Sequence, residues 1–560
     1  MTDGFLSHPG TRVGRRLGAE WGLAATMAAS LLLLVVGPLV RLLWASVSDP
    51  AGGELTLANY EVAFGEARHL RALGNSLVLG VGATALALAF ALPIAWAMAR
   101  TDMPGKTLVR LTVLGTFVTP SYLGGVAWIL LGSPRAGWLN RLWMALTGAS
   151  AGIINIYSFA GLVFVVALYA YPYLFIFTSG ALELVSSELE DAAGMLGARR
   201  LRTAWRITLP LVVPAICAGA IVTFLDAIAL FGTPALIAIP ARFSVLTTQL
   251  WNFFEYPVQV EVAAAYALPL VLLTALLLAA QRAVLHRRGF AAITGKGGER
   301  RIIHLGRWRW VALGYALFVG ALSVYLPFLT ICQAAFAQAW GRGFSLQNVT
   351  LRNFRYLLLE YPITQQSIIH TLIYSSVAAT LCAALGFAAA YLVARRLVPG
   401  AWSLGRLAMA PLVIPGIVLG VAFFALYAPP PGSAERHSGD RRAGIRGPIR
   451  ADRLRQRCGR RPRPGSRSGG RRARSRRVPL LRRPLLGSWL LVFIPAAREL
   501  STALFVVGPR TRVLSILLLD LNEEGNFEIL AAAGCILLLV MVTTAAIGMR
   551  AVGRDFMLRQ

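Results

Sequence analysis

Cysteine is scarce in this 560-residue chain, and no two of its five cysteines stand in a C-x-x-C spacing. Positions 217, 332, 382, 458 and 535 are scattered, four of them in apolar stretches, so neither a disulfide framework nor a zinc site is expected. Charge is scarce as well. Asp, Glu, Lys and Arg make up 14% of residues against 56% apolar ones, a balance that excludes a soluble globular protein. A phosphate-binding loop is also missing. "GFAAITGKGG" (289-298) resembles one, but it has one residue too many before Gly295-Lys296 and a glycine where the magnesium-ligating Ser/Thr belongs. No residue set for covalent catalysis and no cofactor motif stands elsewhere, so the chain is not expected to be an enzyme. His370 is a lone histidine in an apolar stretch, where helix packing rather than ligand duty is expected.

What is present is apolar sequence in span-length pieces. About 20 apolar residues cross a bilayer, and such stretches recur at 21-47, 73-98, 107-131, 152-180, 210-235, 261-285, 308-336, 368-394, 404-428, 485-507 and 528-550. Eleven spans are therefore expected. The first is too long for a cleaved signal peptide and follows a basic "RVGRR" (12-16), as a signal anchor does.

The chain repeats itself, as many transporters do. "LTLANY" (55-60) returns as "VTLRNF" (349-354), and "NSLVLGVGATALALAFALPIAWAMAR" (75-100) as "HTLIYSSVAATLCAALGFAAAYLVAR" (370-395). At the same offset of 295, "PSYLGGVAW" (120-128) returns as "PGIVLGVAF" (415-423). A basic linker, 286-307, joins two units at 21-285 and 308-550, with tails at 1-20 and 551-560. By the positive-inside rule the linker is cytoplasmic. Counting outward, the loops 99-108 and 181-209 are cytoplasmic, 48-70 and 236-260 lie outside, and both termini face the cytoplasm.

One cytoplasmic loop carries a motif, "SSELEDAAGMLGARRLRTAWRITLP" (186-210). Ser187 and Glu190 fit a capping box, Gly197 is placed to end the short helix, and Pro210 opens the next span. Ala192 and Ala193 leave the helix face shallow enough for another protein surface to approach, beside arginines 199, 200, 202 and 206. Asp191-Ala192-Ala193, three residues, Gly197, nine residues, then Ile207-x-Leu209-Pro210 resembles the EAA loop of binding-protein-dependent ABC import permeases, with Asp in place of the usual Glu. The resemblance implies an all-α polytopic fold of two tandem six-span units in a bacterial inner membrane, with 11 to 12 spans here. It also implies two separate ATPase subunits docking on this loop, and a periplasmic substrate-binding protein. "FLDAIALFGTPALIAIPARFSVLTTQLW" (224-251) and "RELSTALFVVGPRTRVLSILLLDLNEEGNF" (498-527) resemble ferric-iron permeases with both halves on one chain, although Leu230 stands where that type has an acid before Phe-Gly. Thiamine and phosphonate importers share the plan, and an ion-coupled secondary transporter is the alternative from another class.

Three charges fall inside apolar spans, where each costs roughly 3 kcal/mol or more. Asp226 is in the fifth span, and Arg498 and Glu499 are at the corresponding place in the second unit. Two readings stay open for them, lining of a translocation path and structural pairing.

The formal charge of +30 suggests a nucleic-acid binder until it is located. Residues 436-483 hold 19 arginines and two aspartates; the remainder is ordinary for basic cytoplasmic loops. From Pro120 to Pro210 is 90 residues, but from Pro415 to Pro479, where the second copy of the docking loop should end, is only 64. A span and a docking loop are replaced by Arg, Pro, Gly, Ser and Ala, which GC-rich DNA yields out of frame, and the chain's 53 arginines against two lysines fit a GC-rich gene. A frame slip near 430, corrected near 479, accounts for the segment 430-478; a basic arm on anionic lipid or nucleic acid is the alternative. An arm would leave an odd number of spans, so the expected partners are ATPase, binding protein and membrane lipid, with no nucleic acid.

Overall fold

A computed structural model of the chain describes residues 17–49, 54–185, 187–198, 200–287, 302–343, 345–408, 414–428 and 485–552. The segment 430–478 and most of the linker and tails lie outside the described residues. All regular elements among the described residues are helices. Eight are long and apolar enough to cross a membrane: Glu20–Ser46, Ala67–Arg100, Phe159–Leu184, Ala204–Ala229, Val260–Ala283, Trp308–Ala335, Pro362–Arg395 and Phe527–Gly548. The expected span at 107-131 is instead a broken one, Lys106–Val118 and Ser121–Gly132, bent by 100°. Pro120 causes the break, since it has no N–H to continue the helix and pushes Thr119 to an extended conformation.

The expected spans at 404-428 and 485-507 also need correcting. Within the described residues they provide helices Ala401–Ala408, Gly416–Tyr427 and Leu485–Ala497, each too short to cross alone. Twelve residues of helix reach only about 18 Å, against a hydrocarbon core of about 30 Å. Ala401–Ala408 and Gly416–Tyr427 stand where the two pieces of the broken first-unit span stand, with Pro415 in the place of Pro120. The expected span at 210-235 ends at Ala229, and a separate short helix, Gly232–Ile237, follows.

Prolines set a second regularity. Four helical stretches widen by one residue per turn, at Leu32–Val36, Ala204–Thr208, Ala321–Tyr325 and Tyr356–Glu360. Each ends two residues before a proline, at Pro38, Pro210, Pro327 and Pro362. A proline ring clashes with the carbonyl four residues back and offers no N–H to it, and a wider turn relieves both defects. Pro93, Pro172, Pro214 and Pro269 sit inside helices without this widening.

The repeat is visible in matching hydrogen bonds. Ser76 Oγ accepts from the Leu246 amide, and Thr371 Oγ1, its counterpart, accepts from Leu514. Asn75 donates to the Ser244 carbonyl, and His370 in the same place is 3.0 Å from the Arg512 carbonyl. Asn59 Nδ2 donates to the carbonyls of Ser46 and Ser48, and Asn353 Nδ2 to those of Ala335 and Ala337. His370 is thus a packing residue, as its surroundings in the sequence suggest.

The two units exchange their first spans. Glu20–Ser46 packs on Gly416–Tyr427 of the second unit, where Arg41 donates to the Ala425 carbonyl and Tyr427 to that of Leu33. Reciprocally, Trp308–Ala335 packs on Ser121–Gly132, where Trp128 donates to the Leu322 carbonyl. Buried Thr116 and Ser323 join the units at 2.9 Å. Mutual embracing of this kind buries apolar helix faces that either unit alone would leave uncovered.

Candidate functional site

Two constellations emerge, one on a loop face and one at the junction of the units. On the loop face lies the short helix Ser187–Met195. Gly197 ends it with φ +80°, a left-handed conformation that costs a side chain roughly 1–2 kcal/mol. The Ala198 amide reaches back to the Ala193 carbonyl, and the Gly197 amide to that of Gly194, both at 3.0 Å. Those two bonds make a complete Schellman closure of the kind a C-terminal glycine predicts.

Glu190 departs from expectation. Its carboxylate turns inward instead of closing a capping box: Oε1 accepts from Thr208 Oγ1 at 2.7 Å and lies 3.5 Å from Arg100. The Ser187 side chain, the other half of that box, is outside the described ones. Arg100 closes the helix Ala67–Arg100, where a cation suits the negative end of the helix dipole. It is almost fully buried and also donates to the Val185 carbonyl. The pair fastens the short helix to a membrane span.

What the loop leaves open is apolar. Met195 and Leu196 are 86% and 88% exposed and Trp205 is 64% exposed, beside exposed Asp191 and Ala192 and half-exposed Ala193. Ile207, Leu209 and Pro210 belong to the start of the next span and anchor rather than present. Sequence reasoning missed Met195, Leu196 and Trp205; three apolar residues in a loop with so many arginines were the available signal. The linker lies alongside. Ile303 exchanges backbone hydrogen bonds with Arg100 and Asp102, the Asp102 carboxylate accepts from the Leu305 amide, and His304 is 3.4 Å from it. Mainly through that amide, the Asp102 carboxyl is held below its ordinary value of 3.8.

The second constellation is a polar cavity of about 120 Å³ where the units meet. Asp226, Arg498 and Glu499 all line it, so the three intramembrane charges picked out in the sequence come together. Arg498 Nη1 donates to the carbonyls of Phe117 and Thr119 at 2.6 and 3.2 Å. Those carbonyls end the first piece of the broken span, where Pro120 leaves them without helical partners, and a guanidinium also offsets the dipole end. Glu499 Oε1 accepts from the Thr502 amide, while Thr502 Oγ1 donates to the Gly416 carbonyl at the second break. Asp226 makes no hydrogen bond among the described residues, although Arg498 attracts it across the cavity. Tyr122, Tyr169 and Tyr173 also line it, and no sequence pattern singles them out.

Comparison with known proteins agrees with this layout. The family described as binding-protein-dependent transport system inner membrane component matches residues 76–289, which include the loop and Asp226. The ferric transport system permease protein FbpB of Actinobacillus pleuropneumoniae is 26% identical over 85% of this chain and 70% of its own length. A putative ferric transport system permease FbpB 1 of Haemophilus influenzae is 28% identical over 64% of this chain, which spans 56% of that relative. A probable molybdenum ABC transporter permease of Haloferax volcanii is 30% identical over 43% of this chain and 81% of its own length. With its duplicated bundle, membrane-length helices and exposed loop helix, the chain belongs to the binding-protein-dependent transport system inner membrane components, the permeases of ABC importers.

Proposed function

We propose that this chain is the permease of an importer for ferric iron, driven by separate ATPase subunits that dock on the helix Ser187–Met195. The observation that carries the coupling is the joining of that helix to a span through the buried Glu190–Arg100 pair. A push on the exposed Met195 and Leu196 reaches the end of Ala67–Arg100 without passing through a flexible connection. The path runs through the cavity at the junction of the units, lined by Asp226, Arg498 and Glu499. The break at Pro120 in the first unit and residues 498–501 of the second both line it, so relative movement of the units changes its shape. Such a seat for intramembrane charges, beside discontinuous helices, is where transporters hold their cargo.

Loops divide between the two ends of the bundle in support of the expected orientation. The 101–103 loop, the docking helix and linker residues 302–305 touch one another. At the other end, Tyr266 donates to the His69 carbonyl, and Arg141 to that of Gly341. The first set faces the cytoplasm and the second the binding protein. Ferric iron follows from the names of the two relatives that cover most of this chain. The test is co-expression with the ATPase and binding protein encoded beside it, followed by uptake of radioactive iron. Uptake that needs all three supports the reading; iron-independent uptake of molybdate or sulfate instead would overturn the cargo and leave the coupling.

A further inference from the structure

Tyr122 and Tyr169 line the central cavity, are 6% and 7% exposed, and have hydroxyls without a hydrogen-bond partner among the described residues. A buried hydroxyl left unpaired is unfavourable by about 1–3 kcal/mol, and two in one cavity call for a polar occupant. The seats are built rather than incidental. A β-carbon on Gly124 would come within 2.0 Å of the Tyr169 ring, and one on Gly232 within 2.9 Å of Tyr122 Cβ, so glycine at both places lets the phenols stand where they do.

Of the charged groups, Arg498 is engaged by two carbonyls and Glu499 by Thr502, whereas Asp226 has no hydrogen bond among the described residues. Three oxygen groups of the lining, those of Tyr122, Tyr169 and Asp226, thus make no hydrogen bond among the described residues, and they come from helices Ser121–Gly132, Phe159–Leu184 and Leu209–Ala229. Oxygen sets with a net negative charge select hard cations. An oxyanion would face two carboxylates, Asp226 and Glu499, against the single guanidinium of Arg498. The volume, about 120 Å³, has room for one small ion together with several waters.

We propose that Asp226, Tyr122 and Tyr169 form a three-oxygen resting site for a single hard metal cation between the two permease units. The proposal rests on reading this cavity as the cargo path and adds the ligand set and the charge sign of the cargo.

The test is equilibrium dialysis of the full-length permease in lipid nanodiscs against ferric nitrilotriacetate, gallium nitrilotriacetate, manganese chloride or sodium molybdate, with elemental analysis of the bound fraction. Binding needs no ATPase. One ferric ion per chain is expected, with about tenfold weaker binding in Tyr122→Phe and in Tyr169→Phe, a larger loss in Asp226→Asn, and no binding of molybdate. The phenylalanine variants should unfold at the wild-type temperature, because the hydroxyls have no protein partner to lose, so weaker binding cannot be ascribed to misfolding. Wild-type affinity in both phenylalanine variants, binding of molybdate alone, or binding of nothing would overturn the proposal. Tyrosine-dependent binding of gallium or manganese without iron would uphold the site and remove the ferric assignment.

Discussion

The two units share their membrane scaffold and differ at the docking end. Equivalent positions make equivalent bonds, Ser76 with Leu246 and Thr371 with Leu514, and prolines at equivalent positions, Pro120 and Pro415, precede the helices Ser121–Gly132 and Gly416–Tyr427. Arg100 and Arg395, however, close matching helices in contrasting surroundings. Arg100 is buried at 3% exposure against Glu190 of the docking helix; Arg395 is exposed, and no docking helix lies on it among the described residues. Among the described residues, the arginine at this place has a carboxylate partner in the first unit alone. The span pairs make their bonds within each repeat, while Arg100 is held by Glu190 of the helix Ser187–Met195.

The largest expected effect comes from removing that difference. In another reading frame, the DNA for about 430 to 478 should encode an apolar stretch of about 20 residues and then a Glu/Asp-Ala-Ala, three-residue, Gly pattern leading to Pro479. Restoring that frame should raise the ATPase bound per permease from one subunit to two, measured by native mass spectrometry. Stop codons or no apolar stretch in both other frames would remove the frame slip and leave the basic arm.

Next in size is damage to the surviving loop. Gly197→Asp should abolish stimulation of the ATPase by loaded binding protein, since the left-handed turn rejects a side chain. Arg100→Ala should destabilise the loop by about 3–5 kcal/mol, because it strands a buried carboxylate, and should release the ATPase in pull-down assays. Arg395→Ala, at an exposed site, should change neither within about 0.5 kcal/mol. Equal effects of the two arginines would erase the asymmetry.

A smaller effect is expected at the junction of the units. Glu499→Gln should lower iron uptake severalfold in a frame-restored chain, with expression and ATPase docking intact, if the group serves the path. Loss of folded protein from the membrane would assign it to structure, as the cap on Thr502.

The smallest concerns the linker. Asp102 has a folded-state pKa below its ordinary 3.8, so its contribution is complete above that value and is lost as pH falls through the lowered one. Hydrogen exchange of the Leu305 amide should therefore show unchanged protection across neutral and mildly acidic pH in wild type, and reduced protection in Asp102→Asn at every pH.

Much of this was legible in the sequence because it rests on local chemistry. Apolar length marked the long spans, repeated strings marked the duplication, and Gly197 marked the end of the docking helix. The three intramembrane charges were legible as exceptions to an apolar rule, and they do share one cavity. The break at Pro120 was missed because the run around it is apolar throughout, and composition cannot report a 100° bend. Glu190 was assigned to its own helix start because capping is a local pattern, whereas its partner Arg100 is 90 residues away in the chain. The phenols of Tyr122 and Tyr169 were illegible for a related reason: tyrosine is common in membrane spans, and only the packing shows which hydroxyls have no partner.

The most direct test of the asymmetric docking is photo-crosslinking in the assembled complex. A photoreactive amino acid at Met195, at the tip of the docking helix, and another at Arg395, at the matching span end of the second unit, would be irradiated with the ATPase present. The account predicts a strong crosslink to the ATPase from position 195 and none from position 395. Crosslinking from 395 as efficient as from 195, or none from 195, would contradict it.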